Sequence, residues 1–319
     1  MGNNVESATI PEEKGAISMR LIHLPEESAP RLRRRRLLLL SAAPLLLLPL
    51  ALAACGGAGT DYPAGKADLV LRIETGGGFV TPQYNLTRLP EFSLYGDGTV
   101  IVTGPMIEIY PQAALPNLQT ATISSEQVAK VLLAAKDAGL FTNDVDYGRP
   151  GITDVGTTTI TIDADGKTYT SSIYALGFEQ MPEGGTVEGL TPAQVEARSA
   201  VNAFTAKAED LDTFLGTKLT WKQYAYTSLA VFSQVSDPAN PAYDTTGVQP
   251  NHLDWPLGDL STLGEAVQPE GFRRTVVTGD DLAKLQPLLS QATQITLWKS
   301  GDHEYYLSFR PLLPDENAK

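Results

Sequence analysis

The sequence predicts an α+β protein built from two antiparallel sheets, each backed by a helix. Two observations carry this. Three pairs of short, β-rich runs flank tight turns containing glycine, at Gly96-Asp97-Gly98, Asp165-Gly166 and Ser300-Gly301. Between the hairpins lie helical stretches with recognisable start signals, not the regular strand–helix alternation of a parallel sheet.

Asp68–Glu74 alternates Leu69, Leu71 and Ile73 with Val70, Arg72 and Glu74, the period of a strand. Phe92–Tyr95 and Thr99–Val102 form the first hairpin. Ser124 is set to cap a helix, with Gln127 three residues on completing a capping box. Val128, Val131, Leu132 and Ala135 share one face of that helix, and Gly139 suits its stop. Thr157–Ile162 and Lys167–Tyr174 form the second hairpin. A longer helix should run from Thr191 and Pro192, with Gln194 as box partner, to Gly216. Its apolar face is Val201, Phe204, Ala208, Leu211 and Leu215.

The order then repeats. Tyr226–Val235 and Phe272–Val277 read as strands, and Thr278 with Asp281 boxes a helix toward Gln291 that Pro287 must kink or shorten. Ile295–Trp298 and Glu304–Phe309 form the third hairpin. Strand, helix and hairpin thus occur twice, which suggests a weak internal duplication. Ser236–Val267, rich in Pro, Asp, Asn and Gly, reads as a long loop with an ordered piece near Trp255.

Upstream of all this, Arg31, Arg33, Arg34, Arg35 and Arg36 precede an apolar stretch, Leu37–Ala54, and then the chain's single cysteine, Cys55. Basic, apolar, small is the layout of a secretory signal. Leu52-Ala53-Ala54-Cys55 resembles the bacterial lipobox. That resemblance implies diacylglycerol on the Cys55 thiol and cleavage just before it. Pro44 and Pro49 argue against a persistent spanning helix. The expected organisation is a signal over 1–54 (Met19 being an alternative start), a tether over 55–66, a first sub-domain over 67–190, a connecting helix over 191–216 and a second sub-domain over 217–319.

Seven of the 24 Lys and Arg residues and five of the 37 Asp and Glu residues precede Cys55, which leaves 17 and 32 after it, a formal charge of −15. Such a balance disfavours nucleic acid and anionic lipid surfaces as partners. With no second cysteine the fold must hold by packing.

The search for chemistry finds few candidates. Nucleophile-elbow, Ser-x-x-Lys and H-E-x-x-H patterns are absent. His252 in the long loop and His303 beside a turn are the only histidines after Cys55, so no metal or other cofactor is expected. Asp144, Asp146 and Asp154 miss the spacing of a calcium loop and read as turn residues. Gly76-Gly77-Gly78 leads to Phe79, Val80 and Pro82 instead of into a helix, and so reads as a flexible strand exit, not a phosphate loop. Tyr84, Tyr95, Tyr110, Trp221, Tyr224, Trp255 and Trp298 could build a stacking surface or fill a core. Trp255 and His252, carried by the long loop with Tyr243, are the site candidates.

The stretches FSLYGDGTV (Phe92–Val100), DYGRPGITD (Asp146–Asp154) and RPLLPDE (Arg310–Glu316) resemble a group of uncharacterised lipoproteins and secreted proteins of high-GC Gram-positive bacteria. The resemblance supports the envelope address and implies no activity. The expectation is a membrane-anchored extracytoplasmic lipoprotein, held through lipid on Cys55, that binds an envelope protein or glycan, or acts architecturally, and is not an enzyme. An inhibitor-like protein-binding module and an acid-residue hydrolase are the alternatives.

Overall fold

The computed structural model describes residues 60–179, 188–237 and 247–316. Among these residues it has thirteen strands in two sheets and five helices, an α+β fold. No helix among them is long and apolar enough to cross a membrane. The apolar run 37–54 and Cys55 lie outside the described residues, as does Tyr243. Both sheets belong to one compact unit, Cys55–Lys319.

The first sheet holds β1 (Leu69–Gly76), β2 (Phe92–Tyr95), β3 (Thr99–Thr103), β4 (Leu118–Thr122), β5 (Thr157–Ala164), β6 (Lys167–Tyr174) and β7 (Lys222–Gln223), in the order β6-β5-β1-β2-β3-β4-β7. β7 lies beyond the expected boundary at residue 217 yet completes this sheet. Two helices cover one face, α2 (Ser125–Asp137) and α3 (Pro192–Glu209). Each carries the capping box its sequence announces. Ser124 Oγ accepts from the Gln127 amide at 3.3 Å and Gln127 Oε1 from the Ser124 amide at 2.9 Å, and Thr191 and Gln194 repeat both bonds. Val128, Val131 and Leu132 of α2 and Val201 and Phe204 of α3 meet Leu71, Ile73, Ile160 and Ile162 in one core. Each such aliphatic side chain contributes about 1.5–3 kcal/mol by leaving water.

The expected single helix from Thr191 to Gly216 is broken. At Asp210 the backbone leaves the helical region (φ −115°, ψ 65°). The Asp210 carboxylate then accepts from the Thr213 amide and caps a fresh turn, α4 (Leu211–Leu215), which Gly216 ends at φ 70°. A carboxylate that can cap competes with helix continuation.

The second sheet holds β8 (Ser228–Val235), β9 (His252–Asp254), β10 (Glu265–Val267), β11 (Phe272–Thr278), β12 (Leu297–Ser300) and β13 (His303–Pro311), in the order β10-β11-β8-β13-β12-β9. α5 (Gly279–Leu289) backs it, and Leu282, Leu285 and Leu289 pack on Leu229, Val231 and Trp298. The box expected at Thr278 and Asp281 does not form. Gly279 turns the chain at φ 54°, Thr278 makes no side-chain cap, and Asp281 instead pairs with Lys284 at 2.7 Å. With Pro287 in its last turn the helix stops at Leu289, short of Gln291.

The described part of the stretch 236–267, residues 247–267, contributes two short strands where its composition reads as loop. β9 pairs in parallel with β12 at one edge of the second sheet, and β10 pairs with β11 at the other. The two sheets are also wired differently. The hairpin β5–β6 docks on β1 by its first strand, whereas β12–β13 docks on β8 by its second. The two halves therefore share an element order and not a topology.

A third apolar cluster joins the sheets. Tyr95, Ile101 and Leu118, on the face of the first sheet away from α2 and α3, pack on Leu313, while Leu312 packs on Ala230 and Phe232 of the second sheet. Polar bonds reinforce the join: Tyr224 Oη donates to the Leu312 carbonyl, and Arg310 holds Glu316 with two bonds of 2.8 and 2.7 Å.

Candidate functional site

Seven of the eleven large apolar side chains left exposed among the described residues fall in two short segments: Phe79, Val80 and Tyr84, and Met106, Ile107, Ile109 and Tyr110. Scattered single exposures are ordinary, but a concentration of this kind marks a working surface.

The first segment leaves β1 through Gly77 and Gly78, both at positive φ, and enters a six-residue helix, α1 (Pro82–Thr87). This helix was not expected after the glycine run. Thr81 caps it by accepting from the Tyr84 amide, and Pro82 supplies its first helical residue. α1 rests on the second sheet: Leu86 packs beside Ala230 and Phe232, and Gln83 Nε2 donates to Gln234 Oε1 at 3.2 Å.

The second segment belongs to the connection between β3 and β4. Its start is tied to its end, with the Gly104 amide donating to the Asn117 carbonyl and Asn117 Nδ2 to the Pro105 carbonyl. Its later part is pinned to the α5–β12 connection, where the Gln294 amide donates to the Gln112 carbonyl and the Ala114 amide to the Ala292 carbonyl. Met106 to Tyr110 therefore stands out from a fixed base.

Two grooves open beside Met106. One, of about 450 Å³, runs between α1 and this loop, with Tyr84, Gln83, Met106, Gln112 and Gln294 on its walls and the stretch Leu307, Ser308 and Phe309 of β13 along its floor. The other, of about 350 Å³, is lined by Met106, Ile107, Ile109, Leu115, Asn117 and Gln223. Met106, Gln112, Ala113 and Pro116 border both, so the two lie side by side. Neither has a charged residue in its lining, although 61 of the chain's 319 residues are charged. The polar groups are amides and hydroxyls, which both donate and accept hydrogen bonds.

A smaller cavity of about 180 Å³ lies between the first sheet and α3, lined by Glu91, Thr75, Thr158, Asn202, Thr205 and Glu209 among others. Desolvation raises the Glu91 carboxyl from its ordinary value, against the pull of its own and the Thr75 backbone amides and of the Arg88 charge.

The residues singled out from the sequence are dispersed. Trp255 is 7% exposed and packs edge-on against Trp298, ring centroids 5.9 Å apart. Its indole nitrogen is buried without a hydrogen-bond partner. Its place is the second core, so it has little surface to offer a partner. His252 stands exposed on β9 with Nδ1 2.7 Å from Glu304 Oε1, on an edge strand away from both grooves. His303 is exposed at the start of β13. Asp146 accepts from the Gly148 amide and from Gln194 Nε2, which makes it a turn and helix-start residue. Among the described residues no group of three His, Cys, Asp or Glu could hold a metal ion. Of the seven aromatics considered as a stacking surface, Tyr84 and Tyr110 are exposed, Trp221 and Tyr224 are half-buried, and Tyr95, Trp255 and Trp298 are core.

The groove was not legible in the sequence because its aliphatic half, Met106, Ile107 and Ile109, lies in a stretch with no secondary-structure signal. The signal available was Met106, Ile107 and Ile109 set around Glu108 and fenced by Pro105 and Pro111, too short a stretch to form an element that would bury them. Comparison of the chain with protein-family models, with curated protein sequences and with solved structures found no match.

Proposed function

We propose that this chain is an extracytoplasmic lipoprotein that works by binding, held to the membrane through Cys55 and presenting the Tyr84–Met106 grooves on the end of its first sheet away from the anchor. One geometric relationship supports this. Asp61 exchanges two hydrogen bonds with Asp165 in the β5–β6 turn, and Pro63 and Ala64 lie against Gly96 in the β2–β3 turn, so the chain enters at that end. Phe79, α1 and Met106–Tyr110 follow the opposite ends of β1 and β3. β1 alone separates the two ends by about 23 Å at 3.3 Å per residue. From Cys55 to Thr60 the chain can span at most about 18 Å. A lipid on Cys55 thus keeps the entry end close to the bilayer and turns the grooves toward the cell exterior. The basic, apolar and lipobox-like order before Cys55 supports the anchor itself.

Lipid would consume the Cys55 thiol, so Ile107→Cys in the full chain supplies the sole free one. The expected result is labelling of that thiol on intact cells by a membrane-impermeant maleimide, with fatty-acid incorporation lost in Cys55→Ser. Fatty acid retained by Cys55→Ser removes the anchor, and an unlabelled Ile107→Cys removes the outward orientation.

The Glu91 cavity supports a second reading, an acid-residue hydrolase in which the Glu91 carboxyl, raised by desolvation, acts with Glu209. Activity on a panel of oligosaccharides that Glu91→Gln abolishes would favour it.

A further inference from the structure

We infer that the paired grooves around Met106 take an uncharged, apolar peptide segment of another envelope protein. This rests on the proposed orientation of the chain and adds the chemistry of the occupant. Three observations select that chemistry.

The first is charge. The linings of both grooves are neutral in a chain with a formal charge of −13, and the one charge on the loop between β3 and β4, Glu108, is exposed and takes no part in either lining. A charged segment entering them would lose its hydration and find no counter-charge. An acidic segment would also be repelled on approach by the protein's overall field.

The second is the shape and texture of the apolar surface. Two adjacent grooves straddling one methionine suit an elongated occupant. Met106, Ile107, Ile109 and Leu115 are flexible or branched aliphatic groups, which match aliphatic side chains and adapt to them. Sugar rings stack on flat aromatic faces, and Tyr84 is the one aromatic wall here with an exposed ring. Gln83, Gln112, Asn117, Gln223 and Gln294 supply donors and acceptors of the kind a peptide backbone needs.

The third is position. The grooves lie at the far end of β1 from the chain's entry, so the bilayer that would hold Cys55 is not the surface they meet. Ile107 stands 75% exposed, which a lone domain gains nothing from and a partner would cover.

The test uses the processed chain, purified from its membranes and reconstituted in phosphatidylcholine vesicles, so that no detergent fills the grooves. A displayed library of random dodecapeptides is selected on it, with Met106→Glu as counter-target. Enriched peptides should be neutral and rich in Leu, Ile, Val or Met. Their affinity should fall at least tenfold for Met106→Glu and for Ile107→Ser, with the melting temperature of Ile107→Ser unchanged. Ile107 is so exposed that its serine variant folds even where Met106→Glu does not. Failure to enrich any peptide overturns the inference. So does enrichment of charged peptides, equal binding by Ile107→Ser, or binding of glycan fragments at the same residues in place of peptides. Lipid labelling of Cys55 is read separately, so loss of the anchor and loss of peptide binding cannot be confused.

Discussion

Arg72 and Asp315 are 243 residues apart and hold each other by two parallel bonds, Nη1 to Oδ2 at 3.0 Å and Nη2 to Oδ1 at 2.9 Å. Tyr95 Oη adds a third donor to Asp315 Oδ1 at 2.8 Å. Both charged side chains are mostly buried, 13% and 21% exposed. The pair ties the first strand to the last turn, directly over the apolar join made by Leu313. Planar, bidentate pairing is the strong form of this contact. Asp315→Ala leaves a guanidinium half-desolvated and should cost about 2–3 kcal/mol. In a unit of this size the melting temperature should then fall by about 5–10 °C. Arg72→Met alone should cost a similar amount, and the double variant much less than the sum. A double-mutant cycle with no coupling would show that the pair contributes nothing to the join.

The same pair sets a pH limit. Burial opposes the charge on Asp315, but the hydrogen bonds and charge of Arg72, with the Tyr95 hydroxyl, outweigh it and hold the carboxyl below its ordinary value. A group depressed in the folded state stabilises fully above its unfolded pKa, about 3.9, and loses that contribution as pH falls through the lower folded value. Wild type should thus be more stable than Asp315→Asn at pH 6, with the gap closing progressively below pH 4. At alkaline pH the sign reverses. Burial, then the charges of Glu316 and Asp315, push the Tyr224 hydroxyl up to about 12, and burial with Asp315 raises Tyr95 too. Their contribution is whole below about pH 10 and is lost as pH climbs through the raised values. Melting curves of both proteins from pH 3 to 11 check each arm. A gap that stays constant below pH 4 would remove Asp315 from the acid limb.

A smaller device guards the outer edge of the first sheet. Asn143 Oδ1 accepts from the Thr170 amide at 2.7 Å and its Nδ2 donates to the Thr168 carbonyl at 3.3 Å, so one side chain pairs with β6 as a neighbouring strand would. Unpaired edges invite other chains. Asn143→Ala should cost no more than about 1 kcal/mol, since the site is exposed. It should nonetheless speed hydrogen exchange at Thr170 and promote association through β6. An unchanged exchange rate at Thr170 would show the contact to be incidental.

What was legible in the sequence was local. Ser124 with Gln127 and Thr191 with Gln194 announce helices because cap and partner lie three residues apart, and both boxes form. Thr278 and Asp281 have the same spacing and fail, because Gly279 can take a positive φ that residues between cap and box partner elsewhere do not. Elements defined by distant partners were hidden. His252–Asp254 is polar and short, and becomes β9 only because Leu297–Lys299 lies beside it. Arg72 reads as the polar side of a strand, and nothing near it in sequence points to Asp315. The groove was hidden for a related reason: Tyr84 and Met106 wall it from α1 and from a loop that carry no shared pattern.

Trp255 gives the clearest decision between packing and contact. It joins Trp298 and Phe309 in an edge-on aromatic chain, with centroids 5.9 and 5.7 Å apart, at the heart of the second core. Trp255→Ala should therefore cost about 3–5 kcal/mol, because a large cavity replaces well-packed rings. The melting temperature should fall by about 10 °C or more. Trp255→Phe should be far milder, about 1–2 kcal/mol, since the buried indole nitrogen makes no hydrogen bond whose loss would add to the cost. Neither change should alter the affinity of a peptide that binds at Met106, measured well below the melting temperature. A contact residue would behave in the opposite way: Trp255→Ala would weaken binding and leave the melting temperature in place. Unfolding curves and peptide titrations on the two variants separate these outcomes. A stable Trp255→Ala variant would mean that the ring chain contributes little and that the second core is held instead by Leu229, Val231 and α5.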